Sequence, residues 1–186
     1  IGLPVLDAPT LVIDIGGGST EYTVGTQSID VFASIPFGAV TSTESHISSD
    51  LPRPEDLTNL IGAVSDELED ITRDHPIVAT AIRTVGVAGT IVAIAAVELG
   101  LHEFDDAALH GMTLSREAVE DVFRTVATEP LALRVQNPGL GPDRADIIVA
   151  GCCILVATMR RLHLSEITVS TRGLLDGVAH RARLNS

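Results

Sequence analysis

The N-terminal part of the chain alternates between apolar and polar positions in the manner of β-strands. An apolar run predicts a buried strand at Leu11–Ile15, and the pattern that follows predicts strands at Ser19–Val24 and Ile29–Ile35. Their short connections favour an antiparallel meander, because strands joined by tight turns pair with each other. The glycines at 16–18 then lie at the tip of the first hairpin.

Further along the chain, apolar residues recur with the period of helices. A short helix is predicted at Gly38–Ile47, and a longer amphipathic helix begins at Pro54 and ends before Pro76. A short apolar run predicts a buried strand at Thr84–Ala88. It leads into an apolar helix at Ile91–Leu99.

The C-terminal part of the chain adds helices and one more strand. Ser115 is expected to cap a helix, and Asp143 is expected to cap a long helix that ends near Leu162. A strand at Ile167–Ser170 precedes a final helix at Gly173–Arg183.

These elements predict an α/β fold for a single domain over residues 1–186, with a mixed sheet in βββαβαβα order plus inserted helices. Three antiparallel strands followed by αβ units are the pattern of the ribonuclease-H-like fold, which the actin-like ATPase superfamily shares. In that architecture, phosphate loops lie at β-hairpin turns, which is where the glycines at 16–18 are predicted to lie.

Composition narrows the classes of partner. The formal net charge is −13 and only 3% of the residues are aromatic, so neither a nucleic acid nor an anionic membrane is an expected partner. The adjacent Cys152 and Cys153 lie in an apolar segment and offer no disulfide framework, which favours a reducing, cytoplasmic location. The uncharged run Ile147–Met159 is too short for a membrane span.

The most informative segment is residues 14–21, which read Asp-Ile-Gly-Gly-Gly-Ser-Thr-Glu. Glycines permit positive φ and close approach of a ligand, and successive N–H groups can form an anion-binding concavity. A neighbouring carboxylate can hold Mg²⁺, which bridges phosphate oxygens. The segment lacks the Lys-Ser/Thr ending of a Walker loop. It is therefore interpreted as a phosphate-and-metal turn, with a ligand-free glycine hairpin as the alternative.

A second candidate phosphate contact is Gly89-Thr90, which follows a predicted strand and precedes a helix. Helix N-termini attract anions. The alternative is an ordinary strand-to-helix turn, and the pair alone does not distinguish the two.

Four motifs in order resemble the exopolyphosphatase/guanosine pentaphosphate phosphohydrolase (Ppx/GppA) family. They lie at Leu11–Glu21, Gly86–Thr90, Arg144–Ile148 and Val169–Gly177. At Leu175-Asp176 the chain departs from the Arg-Glu that the family usually has. The motifs of the family's first actin-like domain do not occur, so the resemblance is to the C-terminal half, the second actin-like domain.

This resemblance implies a Mg²⁺-dependent (or other divalent-cation-dependent) phosphohydrolase that releases terminal phosphate from polyphosphate or guanosine pentaphosphate. The substrate would lie in a cleft shared with an N-terminal domain of the same protein, and the isolated chain is expected to be inactive. Asp14 and Glu21 would be catalytic and would ligate the metal. The implied phosphate-binding residues are Gly16, Gly17, Gly18, Ser19, Gly89, Thr90 and Arg144.

Two other classes stay open at the level of sequence. One is an ATP-binding actin-like ATPase or kinase domain, since such proteins use a similar Asp-x-Gly-Gly-Gly turn. The other is a non-catalytic module that binds an alarmone or forms a homodimer through the long apolar helix.

Overall fold

The computed structural model describes Leu3 and residues 7–173. The predicted helix at Gly173–Arg183 and the Leu175-Asp176 departure therefore lie essentially outside the described residues. Strands and helices are numbered along the chain, and a short 3₁₀ helix at Pro76–Ala79 follows the second α-helix. The strands are β1 Thr10–Ile15, β2 Thr20–Gly25, β3 Ile29–Ile35, β4 Arg83–Val87, β5 Thr113–Ser115 and β6 Glu166–Val169. The helices are α1 Ala39–His46, α2 Pro54–Asp74, α3 Ala88–Glu98, α4 Asp106–Leu109, α5 Arg116–Thr128, α6 Leu131–Arg134 and α7 Ile148–Arg161.

A six-stranded mixed sheet organises the described residues, with the order β3-β2-β1-β4-β6-β5. Strands β1, β2 and β3 form the predicted antiparallel meander. Strand β4 is parallel to β1, and β6 is parallel to β4. The α/β class and the mixed sheet are confirmed. The antiparallel edge strand β5 was not predicted, because three residues carry too little alternation to mark a strand.

Strand β1, which was predicted from an apolar run, alternates in burial along its length. Leu11, Ile13 and Ile15 are buried, whereas the residues between them are only half-buried. Helix α7 forms the centre of the helical layer, where it contacts α1, α2, α3, α5 and β1. Every residue of Ile148–Met159 is buried. Tyr22 is the one fully buried aromatic residue among the described residues, and its hydroxyl lies 2.8 Å from that of Thr158 on α7.

Two predicted helix starts differ from the structure. Helix α7 begins at Ile148 and has no side-chain cap, so the prediction that Asp143 caps it is wrong. The intervening residues form successive turns instead, in which the Arg144 N–H donates to the Gly141 carbonyl. Helix α3 begins at Ala88 rather than Ile91, which places Gly89-Thr90 inside its first turn.

The other predicted cap is confirmed. The Ser115 hydroxyl accepts a hydrogen bond of 3.1 Å from the N–H of Ala118, in the first turn of α5.

In the described part of the chain, no helix combines the length and the apolar character that crossing a membrane would need.

Candidate phosphate site

The β1–β2 hairpin brings two carboxylates together. Asp14 and Glu21 are directly opposite each other in the antiparallel register, so their side chains leave the same face of the sheet. The Ser19 hydroxyl donates to Glu21 Oε1, and the Ser34 hydroxyl on β3 lies 3.2 Å from the same oxygen. Two hydroxyl groups thus orient Glu21, while Asp14 has no hydrogen bond from a side chain of the described residues.

The surroundings of Asp14 disfavour its charged form. Partial burial raises the pKa of Asp14 above its ordinary value, and the neighbouring charge of Glu21 raises it further. A divalent cation beside both carboxylates would offset their mutual repulsion, and it would thereby counteract the effect of the Glu21 charge on the pKa of Asp14.

The predicted hairpin tip is confirmed, and the turn rests on the start of α1. The carbonyl of Gly16 accepts a 2.9 Å hydrogen bond from the N–H of Ala39. The carbonyl of Gly17 accepts from the N–H groups of Val40 and Thr41, at 2.9 and 3.1 Å. The glycine turn therefore supplies the acceptors that the first N–H groups of a helix otherwise lack.

Because its carbonyls face α1, the turn leaves N–H groups for a ligand. The Gly16 N–H closes the turn by donating to the Ser19 carbonyl at 3.0 Å. Within the described part of the chain, the N–H groups of Gly17 and Gly18 donate to no acceptor, and both residues are exposed. These two neighbouring donors are what an anion-binding concavity requires.

The glycines of this region differ in how much room each leaves for a side chain. None of the three turn glycines has a positive φ. A Cβ on Gly18 would meet no atom within 4 Å, so the space beside this residue is open. A Cβ on Gly38, which precedes α1, would overlap the carbonyl group of Gly17.

The second candidate segment lies at the same edge of the sheet. Val87 is the register partner of Asp14 on the neighbouring parallel strand, so Ala88 and Gly89 follow at the edge where the glycine turn begins. Ala88 has a φ of 70°, a left-handed conformation that is unusual for a residue with a Cβ. Helix α3 starts there, with its positive dipole end at this edge.

Arg144 supplies a cation to this segment. Its guanidinium lies directly over Gly89, where a Cβ would overlap it. No carboxylate among the described residues pairs with it. Thr90 is placed differently: it is buried, and its methyl group packs so closely on α7 that a Cβ on Gly151 would overlap it.

The structure therefore gathers most of the predicted residues at one sheet edge. The hairpin group comprises Asp14, Gly16, Gly17, Gly18, Ser19 and Glu21, and the second group comprises Gly89 and Arg144, with the Thr90 side chain turned inward.

Sequence reasoning missed Ser34 and Gly38. The sequence signal for Ser34 is its position on β3 opposite Glu21 in the register of the two strands. Gly38 has no such signal, because its role depends on a contact with a residue distant in sequence.

The metal assignment remains a prediction. No group of three or more His, Cys, Asp or Glu residues suited to a metal occurs within Leu3 and residues 7–173. Asp14 and Glu21 nevertheless fit Mg²⁺, which takes hard oxygen ligands and is commonly held by one or two carboxylates together with substrate phosphates and water.

The fold and this edge define an α/β domain of the actin-like superfamily with a glycine turn suited to a phosphoryl group. The model of the Ppx/GppA phosphatase family matches residues 3–185, and the chain belongs to this family. A crystal structure of the Aquifex aeolicus family member superposes with a TM-score of 0.86 at 27% identity, over 97% of this chain and 57% of that one.

Curated relatives agree with the family. The chain is 32% identical over 179 residues to Exopolyphosphatase 2 of Mycobacterium tuberculosis, covering 92% of this chain and 55% of the relative. It is 26% identical over 173 residues to a guanosine-5'-triphosphate,3'-diphosphate pyrophosphatase of Pseudoalteromonas translucida, covering 91% of this chain and 33% of the relative. The chain thus spans between a third and about half of the length of these relatives.

Proposed function

We propose that this chain forms one half of the cleft of a phosphohydrolase that releases the terminal phosphate of polyphosphate or guanosine pentaphosphate. One observation carries the proposal: the unpaired N–H groups of Gly17 and Gly18 lie at the tip of a hairpin whose strands carry Asp14 and Glu21 in register. Donors for a phosphoryl group and ligands for its cation are thus on the same turn.

The N–H groups position the phosphoryl group. Phosphoryl transfer depends on positioning and on electrostatic stabilisation of the phosphoryl oxygens. A chain with a net charge of −13 repels polyanions at long range, so it must bind phosphate through local donors. The two glycine N–H groups and the guanidinium of Arg144 serve this purpose.

The carboxylates of Asp14 and Glu21 would hold the cation that the phosphate requires. The hydroxyl groups of Ser19 and Ser34 both lie within hydrogen-bond distance of Oε1 of Glu21, and Asp14 is the register partner of Glu21 on β1. Asp14 and Glu21 would hold Mg²⁺ or another divalent cation, which would supply positive charge to neutralise the phosphoryl oxygens. Asp14 would also accept a hydrogen bond from a water molecule at the same edge and so orient that water.

A second domain is part of this proposal. In it, an N-terminal domain covers the open side of the glycine turn and supplies the residue that activates water. We expect the isolated chain to hydrolyse little or nothing. A homodimer of the chain is a further candidate assembly, which sedimentation velocity would detect.

The test is Asp14→Asn in the longer protein that the proposal requires, with phosphate release from tripolyphosphate as the readout. Loss of the cation ligand is expected to lower kcat/KM by about 100-fold or more. Asp30→Asn is the matched control, because Asp30 is an exposed carboxylate on β3 of the same meander. Undiminished activity of Asp14→Asn would contradict the proposal.

A further inference from the structure

Strand β3 forms one edge of the sheet. Within the described residues, the sheet ends with β3 on one side and with β5 on the other. Strand β5 has three residues, whereas β3 has seven, from Ile29 to Ile35. An edge strand carries a row of backbone N–H and C=O groups that its own sheet does not pair, and a very short strand keeps that row small. The larger open edge of this sheet is therefore β3.

The side chains of β3 do little to keep another strand away. Edge strands are commonly protected by proline, by lysine or by inward-pointing charges. Strand β3 contains no proline and no cation, and Asp30 is its one charged residue. Ile29 and Phe32 are 68% and 61% exposed, in a chain with only 3% aromatic residues. A long apolar edge of this kind is a surface to which a further strand can add.

The exposed ring of β3 lies on the face of the sheet that is turned away from the core. Val31 is the register partner of the fully buried Val24 and packs against the core. Phe32, the next residue along the strand, therefore points to the opposite face. Its register partner there is Thr23, which is half-buried. The ring is thus free to meet a side chain from a strand added beside β3.

The sequence of β3 suits pairing with its own copy. A two-fold axis perpendicular to the sheet places the strand antiparallel to the same strand of a second molecule. The register centred on Phe32 pairs all seven residues, because Phe32 is the middle residue of the strand. The two Phe32 rings then lie directly opposite each other, and aromatic pairs of this kind stabilise neighbouring strands.

This register also keeps the charges apart. Asp30 faces Ser34 of the second copy, not the second Asp30, since each residue pairs with the one equally far from the centre of the strand. The two carboxylates are four residues apart along the strand, or about 14 Å. That distance exceeds the screening length of about 10 Å at 0.1 M salt, so their repulsion is weak.

The rest of the molecule bears on such a dimer in two ways. Every residue of Ile148–Met159 is buried, so the long apolar helix α7 has no face left there for a second copy. The formal net charge of −13 makes two copies repel each other at long range. Salt screens that repulsion, whereas the contacts along β3 are mostly apolar. The dimer should therefore become stronger as the salt concentration rises.

We propose that β3 pairs antiparallel with β3 of a second copy of this chain, in the register centred on Phe32. The two sheets then form one continuous sheet. The homodimer named above as a candidate assembly thereby receives a defined surface. The inference goes beyond the proposed function, because this pairing does not depend on phosphate binding.

The test is sedimentation velocity of the 186-residue chain and of the longer protein that contains it. Because a single strand pair is a small interface, the chain is studied at about 100 µM. Phe32→Glu and Phe32→Lys each place like charges opposite each other in the proposed register. Ile82→Glu is the matched control, since Ile82 is an exposed apolar residue outside β3. Circular dichroism verifies that every variant folds.

We expect a dimer that strengthens between about 0.1 M and about 1 M NaCl. Phe32→Glu and Phe32→Lys should each weaken it at least about tenfold, and Ile82→Glu should leave it unchanged. An equimolar mixture of the two Phe32 variants should dimerise again, because glutamate then faces lysine.

Three results would overturn the inference. One is a chain that is monomeric under all these conditions, and another is a dimer that Phe32→Glu does not weaken or that the mixture does not restore. The third is a longer protein that is monomeric while the isolated chain is dimeric, which would show that the rest of that protein covers β3. Each of them leaves the proposed function standing, because the response of the Gly17 and Gly18 amides to tripolyphosphate is measured separately.

Discussion

Replacing Gly38 by alanine should separate the glycine turn from α1. Gly38 has a φ of −121°, so alanine is acceptable to the backbone itself. The difficulty is the neighbour: the new Cβ would overlap the Gly17 carbonyl and lie 2.5 Å from the Gly18 nitrogen. Because both partners are backbone, the turn must move away from the helix.

The cost follows from the hydrogen bonds that this movement breaks. Three N–H groups of α1 donate to the carbonyls of Gly16 and Gly17, at 2.9, 2.9 and 3.1 Å. At about 1 kcal/mol each, their loss lowers the free energy of unfolding by about 2–3 kcal/mol. For a chain of this size, that corresponds to a fall in Tm of about 4–12 °C.

Urea denaturation of Gly38→Ala, followed by circular dichroism, measures this cost. The control is Gly62→Ala, because Gly62 lies inside α2 and a Cβ there would meet no atom within 4 Å. Gly62→Ala should raise stability by about 0.5–1 kcal/mol, since alanine favours the helix. The reasoning is refuted if Gly38→Ala is as stable as the unmodified chain.

Two further predictions concern charges. Asp50→Ala should lower the free energy of unfolding by about 1–3 kcal/mol, because it leaves the 3%-exposed Arg134 without its carboxylate. Asp70→Ala, which breaks an exposed ion pair, should lower it by less than about 1 kcal/mol. Equal losses of stability for the two variants in urea denaturation would contradict this prediction. In an NMR pH titration, the Asp14 midpoint should lie above 3.8, and Glu21→Gln should lower it without reaching 3.8, since burial is the larger cause. The charge of Asp14 is thus disfavoured by folding, so its contribution to stability falls as pH rises above 3.8. An unchanged midpoint would show that the two carboxylates do not interact.

Local patterns predicted the part of the fold that positions the site. An apolar run locates β1, the patterns of the residues that follow locate β2 and β3, and the glycines between two strands locate the hairpin tip, because these features act over a few residues. The start of α7 was misplaced for the opposite reason. Asp143 is a good capping residue in isolation, but residues 143–147 form turns that bring Arg144 against Gly89.

The contacts that build the site are mostly distant in sequence. The support of the glycine turn by α1 depends on the approach of Gly38 to Gly17, which no periodicity reveals. The turn from β4 into α3 depends on the left-handed conformation of Ala88, a residue whose type gives no sign of it. Sequence motifs thus identified the chemical groups, while the structure was needed to show which atoms are available.

The most direct test of the central claim is the response of the amide resonances of Gly17 and Gly18 to tripolyphosphate with Mg²⁺. We predict that these two signals shift in a saturable way and that Asp14→Asn weakens the response. The account is contradicted if the two amides stay unchanged while the shifts concentrate elsewhere, for example at the exposed end of α7 near Arg160.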